Sequence, residues 1–413
     1  MKIALITQSY PPMVSGAALF VERLANYLAA QSHNVLVLAA SDLPEPYQLH
    51  KPNLVIERFR SYTNPFRVGQ RFALWPHCEI VQRLDDFQPD LIHIHDPFQL
   101  GLSSLAFGEA QKIPVVLTIH QLPWFVSAYL PAGRSLQRLM EKLLWLYARW
   151  VLGRCTGSTV ATQTIAELIN ARIGVFPQVI SYGVNLNAFS QEALNAQSET
   201  ALRSRLRIPA DAPVILHVGR MDKDKQVDRV VRAAAAAVQQ TSAHLMIVGD
   251  GTERMKLEHL CAQLGIGERS HYPGFVSIEQ GLAEIYALAD VFVTASEVET
   301  QGLVLLEAAA CAVPIVSVQA TCLHELVHEG VNGYLLPSGD LAGMAERLVS
   351  LIQNPDQARQ MGAAGRLIVE KHAEEKTFSA YLDLYHVLRQ TARATASQPT
   401  AEPNPAERSY GSG

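Results

Sequence analysis

The sequence predicts an α/β protein made of two doubly wound domains that face each other across a cleft. Short apolar runs rich in Val, Ile and Leu alternate with helical patterns in both halves of the 413 residues. This alternation is typical of a parallel sheet covered by helices on both faces. A polar stretch, residues 190–204, separates the two halves, and each half is long enough for one domain.

The N-terminal half alternates β-branched runs with amphipathic patterns, which predicts Rossmann-like βα units. Its predicted strands are 2–7, 34–40, 54–59, 91–95, 114–120 and 158–161, and its predicted helices are 17–31, 76–86, 98–111, 136–152 and 164–171. The C-terminal half repeats the plan. Its predicted strands are 213–218, 244–249, 271–274, 291–295 and 314–318, and its helices are 227–239, 253–264, 278–288, 302–310, 341–352 and 355–371.

The domain boundaries follow from these elements. We assign residues 1–189 to an N-terminal domain and 190–212 to a linker. Residues 213–372 form the C-terminal domain, and 373–391 form a last amphipathic helix. The tail, residues 392–413, consists largely of Ala, Ser, Pro, Thr and Glu without periodicity, so we expect it to be disordered.

Composition excludes several classes of protein. No run of 18 apolar residues occurs, so we expect no transmembrane helix, and the first strand begins too early for a signal peptide. The five cysteines form no CxxC pair, which favours a reducing cytoplasm and excludes a zinc site. Residues 1–190 hold 15 Lys and Arg against 12 Asp and Glu, without a dense basic stripe. This distribution indicates no nucleic-acid partner but allows an anionic surface for the N-terminal half.

The segment from Glu299 to Ala308, E-T-Q-G-L-V-L-L-E-A, organises the C-terminal half. Glu299 follows a buried strand, and Glu307 lies in a helix otherwise made of Leu, Val and Ala. The N–H groups of the helix start, at Gln301, Gly302 and Leu303, are donors for an anion, while the carboxylates accept from hydroxyls. A nucleotide sugar fits this combination. The alternative is that Glu299 is a solvated turn residue and Glu307 a surface residue.

This segment, with P-I-V-S at 314–317 behind it, resembles the retaining family-4 glycosyltransferases of the GT-B fold. The resemblance covers about residues 1–389. It implies a UDP- or GDP-linked hexose as donor, no cofactor, and a final helix that crosses back to the N-terminal domain. We expect no catalytic metal, because cations can take that role.

Two cations follow the first strand of the C-terminal half, Arg220 and Lys225 in G-R-M-D-K-D-K. Such a pair can neutralise a diphosphate and stabilise the leaving group. The segment matches the family pattern G-R-x-x-x-x-K, so we assign both residues to the donor diphosphate. The alternative is exposed charge, since Asp222 and Asp224 lie between them.

Three glycines and two apolar residues complete the predicted donor site. Gly249 and Gly251 in G-D-G allow close backbone approach, and Phe275 and Val276 offer a wall for the nucleobase, although a core role for Phe275 is equally compatible. Gly16 opens the first helix and is assigned to a phosphate. It is a simple turn glycine in the alternative reading, and the family usually has two adjacent glycines there.

Histidines and an aspartate end two strands of the N-terminal half, in H-I-H-D-P-F (93–98) and T-I-H-Q (118–121). By the family resemblance, His120 contacts the reacting sugar, with Arg220, Lys225 and Glu299 as the other catalytic residues. Asp96 is a candidate acceptor-site residue and not a general base. A capping or core histidine is the alternative for His120, and it is the favoured reading for His93.

The helical pattern at 134–154 suggests a membrane contact. One face is predicted to carry Arg134, Arg138, Glu141, Lys142 and Arg149 with Trp145 among them, and the opposite side Leu136, Leu139, Leu143, Leu146 and Trp150. Basic residues with a tryptophan suit an anionic interface, and Arg58, Arg60, Arg67 and Arg71 add to the charge. An ordinary solvated face is the alternative.

The acceptor is predicted to be a lipid at the cytoplasmic membrane face. E-T-Q-G resembles the bacterial diacylglycerol glucosyltransferases more than the commoner E-T-F-G does, and the basic helix agrees. Two alternatives stay open. One is transfer to a soluble sugar or a growing polysaccharide, and the other is a catalytically silent module that binds a nucleotide sugar.

Overall fold

The computed structural model describes residues 1–13, 15–64, 69–123 and 134–397. Within these ranges the chain forms two α/β domains, one built on an eight-stranded sheet and the other on a six-stranded sheet. The predicted doubly wound α/β fold is confirmed.

The N-terminal domain contains one large sheet and one short ribbon. Its strands are β1 (Lys2–Thr7), β2 (Asn34–Ala40), β3 (Tyr47–Lys51), β4 (Leu54–Phe59), β5 (Tyr62–Thr63), β6 (Arg71–Phe72), β7 (Leu91–Ile94), β8 (Val115–Thr118), β9 (Gly157–Val160) and β10 (Gln178–Val179). The sheet order is β10-β9-β8-β7-β1-β2-β4-β3, and β5 pairs with β6 alone. All pairs in the large sheet are parallel except β3 with β4 at its edge.

The C-terminal sheet is entirely parallel, in the order β13-β12-β11-β14-β15-β16. Its strands are β11 (Val214–Val218), β12 (His244–Val248), β13 (Ser270–Gly274), β14 (Val291–Thr294), β15 (Ile315–Val318) and β16 (Gly333–Leu336). Its strands are rich in Val, Ile and Leu, and all but β13 are largely buried, as parallel strands covered on both faces require.

Helices cover both faces of each sheet. They are α1 (Gly16–Ala30), α2 (His77–Phe87), α3 (Gln99–Gln111), α4 (Arg134–Leu152), α5 (Gln163–Ile173), α6 (Ala196–Leu206), α7 (Val227–Gln240), α8 (Arg254–Gln263), α9 (Leu282–Ala287), α10 (Leu303–Ala310), α11 (Leu341–Gln353), α12 (Pro355–Val369) and α13 (Glu374–Ser397). Alternate residues of β1 supply two separate cores, because neighbouring side chains of a strand point to opposite faces. Ile3 and Leu5 join the core under α1 and α13, and Ala4 and Ile6 join the core on the opposite face of the sheet.

The domains are joined by two crossing segments that run side by side. Val184 N donates to His372 O at 2.9 Å, and Glu374 N donates to Val184 O at 3.0 Å. Helix α13 then lies on the N-terminal domain. There Tyr385 Oη is 2.6 Å from His93 Nδ1, and the guanidinium of Arg389 is 3.0 Å from Asp90.

Some elements differ from the prediction. Strands β3, β5, β6, β10 and β16 were not predicted. Strand β3 is largely exposed, β5, β6 and β10 have two residues each, and β16 begins at a glycine. The segment assigned to the linker, 190–212, contains helix α6, which Asn195 caps. Helix α13 continues to Ser397, past the predicted end at 391, because the added turns are rich in alanine and Arg393 pairs with Asp90 at 3.6 Å. Residues 398–413, predicted to be disordered, lie outside the described residues.

Candidate functional site

Both sheets reverse their strand order at a point that matches the predicted site. In the C-terminal sheet, β11 lies between β12 and β14, and in the N-terminal sheet β1 lies between β2 and β7. Doubly wound sheets bind ligands at the carboxyl ends of the strands that flank such a reversal. The loops after β11 and β14 carry Arg220, Lys225 and Glu299, and the loops after β1 and β7 lead to Gly16 and Asp96.

Lys225 and Glu299 form an ion pair across the reversal of the C-terminal sheet. Lys225 Nζ lies 2.6 Å from Glu299 Oε1 and 3.5 Å from Ser296 Oγ. The side chains are 21% and 13% exposed, so solvent screens the pair only partly. An ammonium group has three donors and a carboxylate four acceptor positions. The pair therefore keeps capacity for a phosphate on one side and for sugar hydroxyls on the other.

Arg220 is held within its own loop. Its guanidinium pairs with Asp222, and Nη2 lies 2.7 Å from Asp224 Oδ2. A guanidinium has five N–H donors, and these two contacts engage two of them. The loop that Arg220 and Lys225 share thus presents two cations at one strand end, with Arg220 partly neutralised.

Gly249 and Gly251 support the loop that carries Arg220. A Cβ added to Gly249, whose φ is +130°, would lie 1.9 Å from Gly219 O. A Cβ on Gly251 would lie 2.5 Å from the backbone of Met221. Any side chain at either position would push the two loops apart. The structure therefore gives both glycines a role in loop packing, and direct contact with a donor stays a prediction.

Glu307 lies in α10, facing the interior of the cleft wall. Tyr286 Oη donates to Glu307 Oε2 at 2.8 Å. Burial raises the pKa of the Glu307 carboxyl to about 7, although the Tyr286 hydrogen bond and the charge of Arg23 oppose the shift. A carboxylate in this setting is costly unless a ligand donates to it. Phe275, predicted to contact a nucleobase, is 48% exposed, and its neighbour Val276 is half-buried.

The loop between β14 and α10, residues 295–302, is called the donor loop because it carries Glu299. Thr300 and Gln301 bind this loop to the N-terminal domain. The Gln301 side chain is buried, with Oε1 accepting from Tyr182 N at 2.7 Å and Nε2 donating to Ser181 Oγ at 2.8 Å. Thr162 Oγ1 donates to Thr300 O at 3.0 Å. From the sequence, only backbone groups of this stretch were assigned to the donor. The side-chain amide of Gln301, in place of the phenylalanine of the commoner E-T-F-G, was the signal that indicated a polar partner.

Two helix N-termini meet across the cleft. A Cβ added to Gly16, at the start of α1, would lie 3.3 Å from Leu303 Cδ1, at the start of α10. Gly302, which precedes α10, has φ +83°, a conformation that favours glycine. The first N–H groups of a helix have no carbonyl partner within it, and each terminus carries a positive dipole end, although Ser15 Oγ already accepts from Ala18 N at 3.1 Å. This arrangement suits an anionic group bound between them.

His120 is part of a hydrogen-bonded chain at the carboxyl end of β8. Its Nε2 lies 3.0 Å from His95 Nδ1, and its Nδ1 lies 3.2 Å from Tyr182 Oη. Tyr182 Oη is in turn 3.3 Å from Thr300 Oγ1 in the donor loop. Burial lowers the pKa of His120 to about 3, so the ring is neutral near pH 7. His95 and Tyr182 were not assigned from the sequence, because no spacing pattern shows a contact between distant segments.

Asp96 lies one residue after His95, where α4 packs against the N-terminal domain. Its Oδ1 accepts from Phe98 N at 3.0 Å, and burial raises the pKa of the carboxyl to about 6. Tyr147 of α4 donates its hydroxyl to Pro97 O, and its ring stacks on Phe98 with an interplanar angle of 2°. Helix α4 therefore adjoins the predicted acceptor side.

Comparison with known proteins assigns the chain to a family. The family described as Glycosyltransferase Family 4 matches residues 14–188, and Glycosyl transferases group 1 matches residues 198–368. A D-inositol 3-phosphate glycosyltransferase of Xylanimonas cellulosilytica is 31% identical over 324 residues, 75% of this chain and 73% of its own length. The chain belongs to the family-4 glycosyltransferases.

Other similar proteins cover more of the chain. An alpha-monoglucosyldiacylglycerol synthase of Acholeplasma laidlawii is 26% identical over 398 residues, 93% of this chain and 97% of its own. The solved structure of HepE from Anabaena, in complex with UDP-glucose, superposes with a TM-score of 0.72 at 19% identity, covering 96% and 99% of the two chains. The GT-B fold expected for this glycosyltransferase is confirmed.

The predicted orientation of α4 in this glycosyltransferase is wrong. Trp145, predicted on an exposed basic face, is only 8% exposed and lies in the core. The apolar residues predicted to face the protein are instead half exposed: Leu136, Leu139, Leu143, Leu146 and Trp150. The helix has apolar residues on two sides, and Trp145, Val151 and Leu152 are the ones that pack. Arg138, Lys142 and Arg149 are exposed, and the side chain of Arg134 lies outside the described part.

Arg58, grouped above with exposed basic residues, is also buried. It is 1% exposed and donates to Ala40 O at 2.9 Å and Tyr10 O at 3.3 Å, as well as to Pro11 O. It therefore holds the loop that leads to Gly16. Arg67 lies outside the described residues.

No group of three or more His, Cys, Asp or Glu side chains is placed to hold a metal ion in the described ranges. Among the helices of the described part, none has the length and apolar character needed to span a membrane.

Proposed function

We propose that this glycosyltransferase transfers a hexose from a nucleotide-diphosphate sugar to a membrane lipid, with retention of configuration at the anomeric carbon. The observation that carries the proposal is the Lys225–Glu299 pair, 2.6 Å apart at the carboxyl end of the strands that flank the sheet reversal. It puts a phosphate-binding cation beside a hydroxyl-binding carboxylate, next to the start of α10.

The donor would lie across the carboxyl ends of β11 and β14. Lys225 and Arg220 bind the diphosphate, assisted by backbone N–H groups from Gln301 to Leu303 and by the helix start at Gly16. Glu307 accepts from ribose hydroxyls, and Phe275 with Val276 contacts the base. UDP is the first nucleotide to test, because the similar HepE structure contains UDP-glucose.

Chemistry at the anomeric carbon follows from these contacts. The bond to the diphosphate oxygen breaks, and Lys225 and Arg220 stabilise the negative charge that develops on the leaving phosphate. Because Glu299 is paired with Lys225, its carboxylate is better suited to orienting sugar hydroxyls than to attacking carbon. The acceptor hydroxyl then approaches from the face that the diphosphate leaves and gives its proton to the departing phosphate oxygen, which retains configuration. Neutral His120 contacts the sugar after one of its two hydrogen bonds is exchanged.

A lipid acceptor is favoured by the sequence and, independently, by the surface of α4. In the sequence, the E-T-Q-G segment and the similarity to an alpha-monoglucosyldiacylglycerol synthase both favour a lipid. Helix α4, which packs on the Asp96–Phe98 segment, exposes apolar side chains beside basic ones. Transfer to a soluble polyol is the second candidate, because a relative is named as a D-inositol 3-phosphate glycosyltransferase.

The test is a screen of radiolabelled UDP- and GDP-hexoses with the purified chain. Acceptors are diacylglycerol and lipid extract dispersed in detergent, and inositol phosphates and oligosaccharides in water. We expect label in the organic phase, and roughly 10–150-fold less of it with Lys225→Ala. Label confined to aqueous products would replace the lipid acceptor with the soluble one. Donor binding without release of nucleotide with any acceptor would instead identify a silent binding module.

A further inference from the structure

Helix α4 presents a continuous apolar stripe on the surface of the N-terminal domain. The stripe is defined by Leu136, Leu139, Leu143, Leu146 and Trp150, whose exposed fractions are between 50% and 56%. Spacings of three and four residues put these side chains on one line along the helix. With a rise of about 1.5 Å per residue, the line is roughly 20 Å long. Single exposed leucines are ordinary, but five in a row mark an interaction surface.

The stripe is not needed to attach the helix to the domain. The opposite side of α4 supplies Trp145, Val151 and Leu152 to the core, and Tyr147 contacts the Pro97–Phe98 segment. The exposed leucines are therefore a second apolar face. Leaving them in water costs free energy that a partner surface would recover.

The charges beside the stripe identify the kind of partner. Arg138, Lys142 and Arg149 are exposed on the same helix, and Glu141 is the single acidic residue between 134 and 152. Trp150, at one end of the stripe, is half exposed with the guanidinium of Arg154 4.6 Å from its ring centroid. Leucines bordered by basic residues, with an exposed tryptophan at the end, suit the headgroup region of an anionic bilayer.

We propose that α4 lies flat in the interface of an anionic membrane, with the stripe in the headgroup–acyl boundary and the three basic residues on lipid phosphates. The inference rests on the proposed lipid acceptor and names the surface that brings the enzyme to it. Leu146 precedes Tyr147, which contacts the segment after Asp96. A lipid whose chains stay in the bilayer under the stripe would thus present its headgroup near the acceptor side.

Other occupants fit less well. A second copy would bring two sets of Arg138, Lys142 and Arg149 together with a single acidic residue on each helix. Residues 398–413 contain one large apolar residue, Tyr410, too few to cover the stripe. Residues 124–133 contain Trp124, Phe125 and Leu130, which are apolar enough to cover the stripe. Variants of Trp124 and Phe125 therefore test this occupant directly.

The test is flotation of the full chain with phosphatidylcholine vesicles, with and without about a third phosphatidylglycerol, at 0.1 M and 1 M salt. The stripe variant is Leu139→Gln, Leu143→Gln, Leu146→Gln. Its control is Met255→Gln, Leu367→Gln, Val387→Gln, at exposed apolar residues of other helices. The charge variant is Arg138→Gln, Lys142→Gln, Arg149→Gln.

We expect the wild type and the control to bind anionic vesicles, more weakly at 1 M salt, because the Debye length falls from about 10 Å to about 3 Å. The stripe variant should lose at least roughly tenfold in partitioning at both salts. The charge variant should bind anionic vesicles no better than neutral ones.

Four results would overturn the inference, the last of them from the transfer assay. The first is a stripe variant that floats like the wild type. The second is a wild-type dimer that the stripe variant converts to monomer, which assigns the face to a second copy. The third is vesicle binding that appears only after Trp124→Ser and Phe125→Ser, which assigns it to residues 124–133. Transfer to diacylglycerol in detergent micelles is measured in parallel. Transfer there without vesicle binding would refute this inference and leave the proposed function standing.

Discussion

Lys225 is the residue on which the donor-site proposal depends most. Its ammonium lies 2.6 Å from Glu299, and its neighbour in the loop, Lys223, is exposed. Lys225→Ala removes one charge-assisted contact to the leaving diphosphate, worth about 1.5–3 kcal/mol, so kcat/KM should fall roughly 10–150-fold. Steady-state kinetics with saturating acceptor measure this. Lys223→Ala is the matched control and should act like the wild type. Equal activity of the two variants would remove Lys225 from the site.

Glu307 gives a pH-dependent prediction. Because burial raises its pKa to about 7, the carboxyl is protonated below that pH and becomes a full acceptor for ribose hydroxyls above it. Affinity for UDP should therefore rise between pH 6 and pH 8 more steeply in the wild type than in Glu307→Gln. At pH 8 the variant should bind roughly tenfold more weakly.

Calorimetry at several pH values measures both proteins, and their difference removes the titration of the phosphate itself. Glu346→Gln, on an exposed part of α11, is the control and should follow the wild type. Parallel pH curves for the wild type and Glu307→Gln would contradict the ribose assignment.

At the residue scale the sequence identified charged groups better than their partners. Lys225 and Glu299 were assigned to one site, and the structure brings them into contact. The pairing of Arg220 with Asp222 and Asp224, weighed as the alternative, is also present. Trp145 was misplaced because helical spacing shows which residues share a face but not which face meets the protein.

At the scale of elements, the donor loop and the crossing segment are connected through Tyr182. Its amide donates to Gln301, and its hydroxyl lies between His120 Nδ1, at 3.2 Å, and Thr300 Oγ1, at 3.3 Å. Tyr182→Phe removes the hydroxyl and keeps the ring. Because His120 loses a hydrogen bond that orients it, kcat should fall about tenfold while the donor KM stays the same.

Tyr385→Phe is the matched control for Tyr182→Phe. Its hydroxyl is also buried and bonded to a histidine, His93, at 2.6 Å, but it lies on α13, outside this chain of contacts. This variant should lose roughly 1–3 kcal/mol of unfolding free energy and keep kcat. A similar loss of kcat in both variants would show that Tyr182 acts only on stability.

Most elements could be predicted because buried parallel strands are short apolar runs; β1, β2 and β4 begin and end where expected. The missed elements lacked that signal. Strand β3 pairs at an exposed edge, and α6 is a largely polar helix whose one buried residue is Leu202. Their formation depends on neighbours that a local pattern does not contain.

For the whole molecule, the contacts between the two domains could not be predicted from the sequence. Glu325 of the C-terminal domain accepts from Thr164 N at 2.7 Å, at the start of α5, and Gln301 reaches Ser181 and Tyr182. Each contact joins residues more than a hundred positions apart, so no spacing could indicate them. They bring the loop after β14 to the N-terminal domain, so the proposed site consists of residues from both.

Retention of configuration is the central claim about this assembled site, and the product of a single reaction tests it most directly. The enzyme is given an α-linked nucleotide hexose and the acceptor found in the screen, and proton NMR follows the anomeric signal of the first product formed. The account predicts an α-glycoside, because the acceptor approaches from the face that the diphosphate leaves. A β-glycoside as the first product would contradict it and would require a base on the opposite face of the sugar.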